Sequence, residues 1–144
     1  MRARPATEAD ADLLLAWRND PGTGAWSFTS DPVPRPEHLR WLSAVLVDPD
    51  RRLLVVETDE PVGTVRFDRD GDAWKVNITV APEHRGRGLS GPVLACAEAT
   101  LPVGTELVAW VHRDNAASVA LFERAGYVRA GANDEWLRWA KRLT

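Results

Sequence analysis

The stretch EHRGRGLSGPVL, residues 83–94, combines three glycines, two arginines and a serine between a predicted strand and a predicted helix. Before it, WKVNITV places Val76, Ile78 and Val80 on one face, the alternation that is typical of a β-strand. After it, PVLACAEATL is apolar and rich in alanine, which indicates a helix. A strand, a glycine loop and a helix in this order predict an anion site, because loop amides and a helix N-terminus attract negative charge.

Two common phosphate-binding motifs do not explain this loop. GRGLSG fits the dinucleotide pattern G-x-G-x-x-G, but residues 81–85 separate its first glycine from the strand. The acidic residue of the next predicted strand, Glu106, also lies at the wrong end for a ribose contact. A nucleoside triphosphate loop needs a lysine after the glycines, and none follows here. We therefore expect the amides from Arg85 to Ser90 to bind a pyrophosphate directly, with arginine side chains adding positive charge.

Composition bounds the remaining possibilities. The chain has 144 residues, of which 44% are hydrophobic and 27% charged, and we expect one soluble domain over residues 1–144. A net charge of −3 and a pI near 5.6 disfavour a nucleic acid or an anionic membrane as partner. Cys96 is the single cysteine, and the opening residues lack an apolar signal segment, so we expect a cytoplasmic protein. The three histidines have no metal-site spacing, which predicts metal independence.

The order of the predicted elements indicates an α+β fold. Two amphipathic helices come first, then an antiparallel meander of three strands with a hairpin at DRDGD, and then the glycine loop and its helix. A strand, a helix that ends at Gly126 and a last pair of strands follow. The predicted helices, in order, are TEADADLLLAWRND, RPEHLRWLSAVLVDPD, PVLACAEATL and NAASVALFERAG. The predicted strands, in order, are MRARPA, which would lie at an edge, RLLVVET, VGTVRFD, WKVNITV, ELVAWVH, YVRAG and EWLRWAKRL.

Two motifs resemble those of the GNAT N-acetyltransferases. The family's acetyl-coenzyme A loop, [QR]-x-x-G-x-[GA], is matched by Arg85 and Gly88, with Ser90 where the family has glycine or alanine. VHRDNAASVALFERAGYV is similar to the family's downstream strand end and helix. The resemblance implies one GNAT-like domain with a mixed, mostly antiparallel central sheet of about six to seven strands, flanked by about four helices. It also implies acetyl-coenzyme A as cosubstrate.

The same resemblance assigns the coenzyme contacts. The amides near Thr79 and Val80 are expected to bind the cofactor, and Asn115 is expected to reach the pantetheine arm, although its position also suits a helix cap. Phe122 stands where many relatives have a tyrosine, so the leaving thiolate takes its proton from water or another residue, or catalysis depends on positioning. The expected cofactor residues are Thr79, Val80, Arg85, Gly86, Arg87, Gly88, Leu89, Ser90, Asn115, Ser118 and Phe122.

The acceptor side is assigned by a finer resemblance. DADLLLAWRND, WSF, PEHLRWL and PVGTVRFD resemble the subgroup that acetylates nucleotide-linked amino sugars. That likeness makes His38 a catalytic imidazole, although a helix histidine is more commonly surface or core. Asn77 as a catalytic residue and Arg66 as a substrate contact share strand faces that either look into the acceptor cleft or form cross-strand pairs. The expected acceptor contacts are Asn19, Trp26, Phe28 and Arg66.

These observations predict acetyl transfer from acetyl-coenzyme A to the primary amine of a small molecule, for which a nucleotide-linked amino sugar is one candidate. Two alternatives stay open. One is acetylation of protein N-termini of the ribosomal-protein type, and the other is a non-catalytic module that binds acyl-coenzyme A. A homodimer also stays open, because the predicted strand with Trp136 and Trp139 suits either a subunit interface or a core.

Overall fold

The computed structural model describes residues 1–21 and 32–144. These residues form a seven-stranded mixed sheet in the order β1-β2-β3-β4-β5-β7-β6. The strands are β1 (Arg2–Pro5), β2 (Arg51–Glu57), β3 (Pro61–Asp70), β4 (Ala73–Val80), β5 (Glu106–His112), β6 (Val128–Ala132) and β7 (Trp136–Arg142). The α-helices of the described residues are α1 (Ala11–Arg18), α2 (Arg35–Val47), α3 (Ser90–Glu98) and α4 (Ala116–Arg124).

The expected α+β fold is confirmed, including the antiparallel meander. Strands β2, β3 and β4 pair antiparallel, and a two-residue turn joins β3 to β4 between Asp70 and Ala73. Gly71 has a φ of 62° in that turn, a left-handed conformation that glycine adopts without strain. The predicted pairing of β6 with β7 is confirmed, and β7 also pairs with β5, so that it lies between β5 and β6. That order depends on which edge of β5 the last strand joins, and no local pattern encodes it.

The two faces of the sheet are covered by different helices. On the face that we call the front, α1 and α2 pack with Leu53 and Val55 of β2. On the back face, α3 and α4 pack on the larger core, to which Val65 and Phe67 of β3 contribute. Side chains alternate along each strand, so Asn77 of β4 lies on the front and its neighbour Val76 on the back. A ligand that passes through the sheet would therefore meet two different environments.

The sheet opens between its fourth and fifth strands. β4 and β5 run parallel but pair only over residues 73–75 of β4 with 106–108 of β5. Beyond Lys75 and Val108, both strands continue without pairing with each other. We call this opening the gap. It leaves strand backbone without its usual partner next to the glycine loop, and so it locates the candidate site.

No helix among the described residues is both long and apolar enough to cross a bilayer.

Candidate functional site

The backbone of β4 presents hydrogen-bond donors to the gap. The amide of Ala81 donates to Val62 O at 2.8 Å, which directs Ala81 toward β3. Backbone direction alternates along a strand, so the amides of Ile78 and Val80 point away from β3 and into the gap. The same alternation directs the amide of Thr79 toward β3. Of the two expected amide contacts, Val80 is therefore oriented toward a ligand in the gap, and Ile78 is a further donor that sequence reasoning missed.

The glycine loop adds a strip of donors at the wide end of the gap. Among the described residues, no hydrogen bond involves the amides of Gly86, Arg87, Gly88, Leu89, Ser90 or Gly91. Gly86 and Gly88 have φ values of 76° and 69°, and left-handed residues in such a loop turn successive amides toward one point. The last of these amides also open α3, whose N-terminus carries partial positive charge. This geometry fits a diphosphate.

Gly86 and Gly88 are needed for their left-handed backbone conformation, not because a side chain would collide with the protein. A Cβ placed on Gly86 or Gly88 would meet no protein atom within 4 Å. At these φ values an L-residue is strained, and a side chain would also stand where an anion approaches the amides. Leu89 packs its side chain against the back-face core and so anchors the loop.

The two arginines of the loop have different partners. Arg85 donates to Asp20 Oδ2 at 2.6 Å, which connects the loop to the end of α1. Arg87 lies 3.4 Å from His84 Nδ1, and no carboxylate among the described residues pairs with it. Arg87 therefore has the guanidinium charge that a phosphate could neutralise, whereas the charge of Arg85 is already balanced by a carboxylate.

Asn115 caps α4, as its position allowed. Its side-chain oxygen accepts the amide of Ser118 at 3.2 Å. This bond occupies the side-chain oxygen of Asn115. The side-chain NH₂ group of Asn115 has no hydrogen bond within the described residues and can donate to a ligand. Asn115 follows the end of β5 on the side of the gap opposite Val80, so capping and a contact to a ligand arm are compatible. The contacts of Asn115 and Ser118 with a coenzyme stay predictions.

Neither Phe122 nor Tyr127, the two aromatic residues near the C-terminal end of α4, has a proton available for a leaving thiolate. Phe122 is buried and meets the ring of Tyr127 edge-on, with centroids 5.0 Å apart. The Tyr127 hydroxyl donates to Glu98 Oε2 at 2.6 Å inside the core. Burial raises the pKa of Tyr127 above its ordinary value, and the hydrogen bond to Glu98 adds to the effect. Proton donation to a thiolate by Tyr127 is disfavoured by this environment, in which the Tyr127 side chain packs in the core.

His38 is a core residue of the helix pair α1 and α2. None of it is exposed, and its Nε2 lies 3.0 Å from the carbonyl oxygen of Ala11. Its Nδ1 lies 3.5 Å from a guanidinium nitrogen of Arg18. Because Nε2 must donate to the carbonyl, Nδ1 is the acceptor and the ring is neutral. Burial is the largest cause that lowers the pKa of His38. This environment indicates that His38 packs α1 on α2, and it disfavours the expected role of His38 as a catalytic imidazole, which stays a prediction.

Arg66 and Asn77 lie side by side on the front face. They are register partners in β3 and β4, and both bond to Asp68. The distances are 3.0 and 3.1 Å from Arg66 Nε to the two carboxylate oxygens and 3.4 Å from Asn77 Nδ2. The Arg66 guanidinium also lies 5.5 Å from the ring centre of Trp41 in α2. The Asn77–Asp68 bond is a cross-strand pair, as one of the two alternatives expected, whereas the Arg66–Asp68 ion pair lies within β3. Because Asn77 is in β4, beside the gap, these side chains also suit an acceptor cleft.

The expected acceptor contacts of the first loop are only partly described. Asn19 binds the backbone of Val33 twice, with Nδ2 to the carbonyl at 3.0 Å and the Val33 amide to Oδ1 at 2.8 Å. Asn19 thus joins the two ends of the intervening segment, and its contact with a substrate stays a prediction. Trp26 and Phe28 lie outside the described residues.

A cavity of about 390 Å³ opens on the front face beside the start of the gap. Its walls come from the end of the β3–β4 hairpin and from β5 and β7. The lining residues are Asp68, Arg69, Asp70, Lys75, Trp110, Asn133 and Trp136. Sequence reasoning missed Trp110 as a site residue. The alternation of ELVAWVH places Trp110 opposite the buried face of β5, which was the available signal.

Within the described residues, no group of three or more His, Cys, Asp or Glu side chains is arranged to hold a metal ion.

Comparison with known proteins identifies several relatives. A family profile described as an acetyltransferase (GNAT) domain matches residues 1–128. A mycothiol acetyltransferase from Nocardioides sp. is 42% identical over 55 residues, which are 38% of this chain. That match spans only 19% of the length of this curated relative.

Solved structures of similar fold cover nearly the whole chain. A spermidine N-acetyltransferase from Vibrio cholerae, in complex with CoA and spermine, superposes with a TM-score of 0.86 at 20% identity. The superposition covers 98% of this chain and 94% of that one. A ribosomal-protein-alanine N-acetyltransferase from Brucella melitensis has a TM-score of 0.79 at 25% identity, covering 99% of this chain and 100% of its own.

Proposed function

This chain belongs to the GNAT acetyltransferase family, and from that premise we propose that it transfers an acetyl group to the primary amine of a small molecule. Acetyl-coenzyme A is the cosubstrate of this family. The gap between β4 and β5, with free amides along one edge and an anion loop at its wide end, is the observation that carries the proposal. A long ligand with a diphosphate at one end and a thioester at the other suits that shape.

The chemistry proposed for the gap depends on backbone groups. A diphosphate binds the amides of residues 86–91 and the side chain of Arg87, while the pantetheine arm lies between Val80 and Asn115. The acetyl carbonyl accepts a hydrogen bond from the amide of Ile78 or Val80, which stabilises the charge that develops on its oxygen during attack. The amine attacks the thioester carbon, the C–S bond breaks, and the proton that the amine nitrogen loses passes through water to the leaving thiolate, because Phe122 has no proton to give. Holding the amine against the thioester supplies much of the rate.

The identity of the acceptor is the finer part of the proposal. The nucleotide-amino-sugar resemblance finds no support in the comparisons. The complex of the Vibrio cholerae relative contains spermine, which is a small-molecule amine. The Brucella melitensis relative favours a second candidate, the N-terminal amine of a protein. The cytoplasmic location, the single domain, the metal independence and the homodimer stay predictions.

The proposal is tested first on the glycine loop. Gly88→Ala is expected to weaken acetyl-coenzyme A binding at least about tenfold, since it adds about 1–2 kcal/mol of left-handed strain and crowds the amides. Gly104→Ala is the matched control, because Gly104 also has a positive φ, 89°, but lies in the loop before β5. Isothermal titration gives the affinity, and thermal melting shows whether each variant folds.

Thiol release with a panel of amines then tests the reaction itself. The panel contains a polyamine, an amino sugar, a nucleotide-linked amino sugar and a peptide with a free N-terminus. Turnover of a small amine above the peptide supports the proposal, and the reverse order favours the protein acceptor. Tight coenzyme binding without thiol release from any amine contradicts catalysis and favours a non-catalytic module. Equal binding by Gly88→Ala and the unmodified chain would contradict the assigned loop.

A further inference from the structure

His84 is a buried imidazole beside the glycine loop that the proposed reaction does not use. It ends a short 3₁₀ turn, Pro82–His84, which leads from β4 into the loop. The side chain is only 11% exposed, so both ring nitrogens need partners inside the protein. Those partners lie on two different segments, the glycine loop on one side and the turn between β2 and β3 on the other.

The contact with the loop determines which ring nitrogen carries the proton. His84 Nδ1 lies 3.4 Å from Arg87 Nη1. A guanidinium has N–H donors and no acceptor, so Nδ1 must supply the lone pair, and the proton of the neutral ring is on Nε2. Nε2 lies 2.9 Å from Glu60 Oε1, within ion-pair distance although the angles fall outside those of a hydrogen bond. Glu60 thus attracts the Nε2 proton, which keeps Nδ1 as the acceptor for Arg87.

The same contact restrains the side chain of Arg87. Arg87 is exposed, and a long exposed arginine loses rotamer entropy when a ligand orders it, which weakens binding. A hydrogen bond to a buried ring imposes part of this order before the ligand arrives. Gly86 and Gly88 determine the backbone on both sides of Arg87, so His84 restrains the part of the residue that the backbone does not.

We propose that His84 is a positioning residue for the coenzyme, whose neutral ring holds the Arg87 guanidinium where the diphosphate binds. This inference rests on the proposed coenzyme site and adds His84 to it, with Glu60 selecting the tautomer. His84 acts through Arg87 and does not itself contact the ligand. Loss of the His84 ring should therefore weaken binding only while the Arg87 side chain is present.

A double-mutant cycle on coenzyme affinity tests this dependence. In isothermal titration with acetyl-coenzyme A, Arg87→Met is expected to raise Kd about ten- to thirtyfold, because a charged hydrogen bond is lost. His84→Leu is expected to raise Kd about three- to tenfold in the unmodified chain. In the Arg87→Met background, His84→Leu should change Kd by less than about twofold.

Two further variants separate positioning from packing. His84→Asn keeps an acceptor oxygen close to the position of Nδ1, so its Kd should stay within about twofold of that of the unmodified chain. Glu83→Ala is the matched control, because Glu83 precedes His84 in the same turn and is exposed. Its affinity for acetyl-coenzyme A should not change. Thermal melting shows whether each variant folds.

The outcomes distinguish this inference from the proposed function. An equal effect of His84→Leu with and without the Arg87 side chain, or an unchanged Kd in Arg87→Met, would overturn the positioning role and leave acetyl transfer intact. If His84→Leu does not fold, His84→Gln is compared with His84→Asn, because the longer side chain places its amide near Nε2 and not near Nδ1. Weaker binding by His84→Gln supports the proposal, and equal binding by the two overturns it. Absence of any binding by the unmodified chain would contradict the coenzyme site itself, and this inference with it.

Discussion

The two ring nitrogens of His38 show how a single residue joins two helices. Nε2 binds the carbonyl oxygen of Ala11 in α1, and Nδ1 faces Arg18 at the other end of that helix. The ring also stacks with Trp41 at 5.7 Å. Burial lowers the pKa of His38 below its ordinary value of 6.5, so the unfolded chain takes up the proton more readily than the folded chain. The contribution of His38 to stability is therefore complete above about pH 6.5 and is lost as the pH falls toward the lowered pKa.

Replacement of His38 separates a packing role from a catalytic one. His38→Gln is expected to lower the free energy of unfolding by about 1–3 kcal/mol, because a buried partner of Ala11 and Arg18 is altered. Activity of the folded variant should fall by less than about tenfold, with an unchanged pH–rate profile. Denaturant unfolding at pH 8 and pH 5.5 gives the stability, and the loss of stability on acidification should be smaller in the variant. A fall in kcat of about 10²–10⁴ with a lost limb of the pH profile would instead indicate a general base.

At the scale of elements, Gly63 determines how closely β3, β4 and α3 approach one another. A Cβ on Gly63 would lie 2.7 Å from Thr79 O and 3.3 Å from Val93 Cγ1. The first contact is with backbone, so β4 would have to move. The part of β4 that would move includes Val80, whose amide faces the gap. Packing at Gly63 and ligand binding at the gap are therefore connected through one strand.

Gly63→Ala is expected to destabilise the fold by about 1–3 kcal/mol and to weaken acetyl-coenzyme A binding several-fold. Gly131→Ala is the control in β6, where the new Cβ would lie 3.7 Å from the nearest side-chain atom, an ordinary contact. Thermal melting and titration of the coenzyme measure the two effects. Loss of stability with unchanged affinity would show that the position of β4 at the gap does not depend on Gly63.

The helices and strands could be predicted from the sequence, but how they pair and pack against one another could be predicted only in part. Alternation in WKVNITV predicted β4 and its faces, and the glycines predicted the loop, because these features are local. The separation of β4 from β5 beyond Lys75 has no local signal, since it depends on contacts between strands distant in sequence. Burial of His38 depends on how α1 and α2 pack, which helical spacing alone does not show. Trp110 became a site residue only when β7 brought Trp136 beside it.

At the scale of the whole molecule, the sheet consists of two parts with a short junction. Strands β1–β4 form one antiparallel group and β5, β7 and β6 form the other. Residues 73–75 and 106–108 provide the register pairs between them. Helices α3 and α4 join both groups in the back-face core, and the partly buried ion pair of Glu98 and Lys141 at 2.9 Å connects α3 to β7. A coenzyme in the gap would add a second connection through the sheet itself.

Acetyl-coenzyme A is therefore expected to stabilise the molecule in a pattern that reports its position. At a free concentration about 100 times Kd, the free energy of unfolding should rise by about 2.7 kcal/mol, which thermal melting detects. Amide exchange followed residue by residue by NMR should slow at residues 86–91 and at Ile78 and Val80, whose amides gain a partner. Thr79 is an internal control, because its amide already faces β3, and the edge strand β1 is a distant one. Protection spread evenly over all strands, or greater at Thr79 than at its neighbours, would mean that the coenzyme does not occupy the gap.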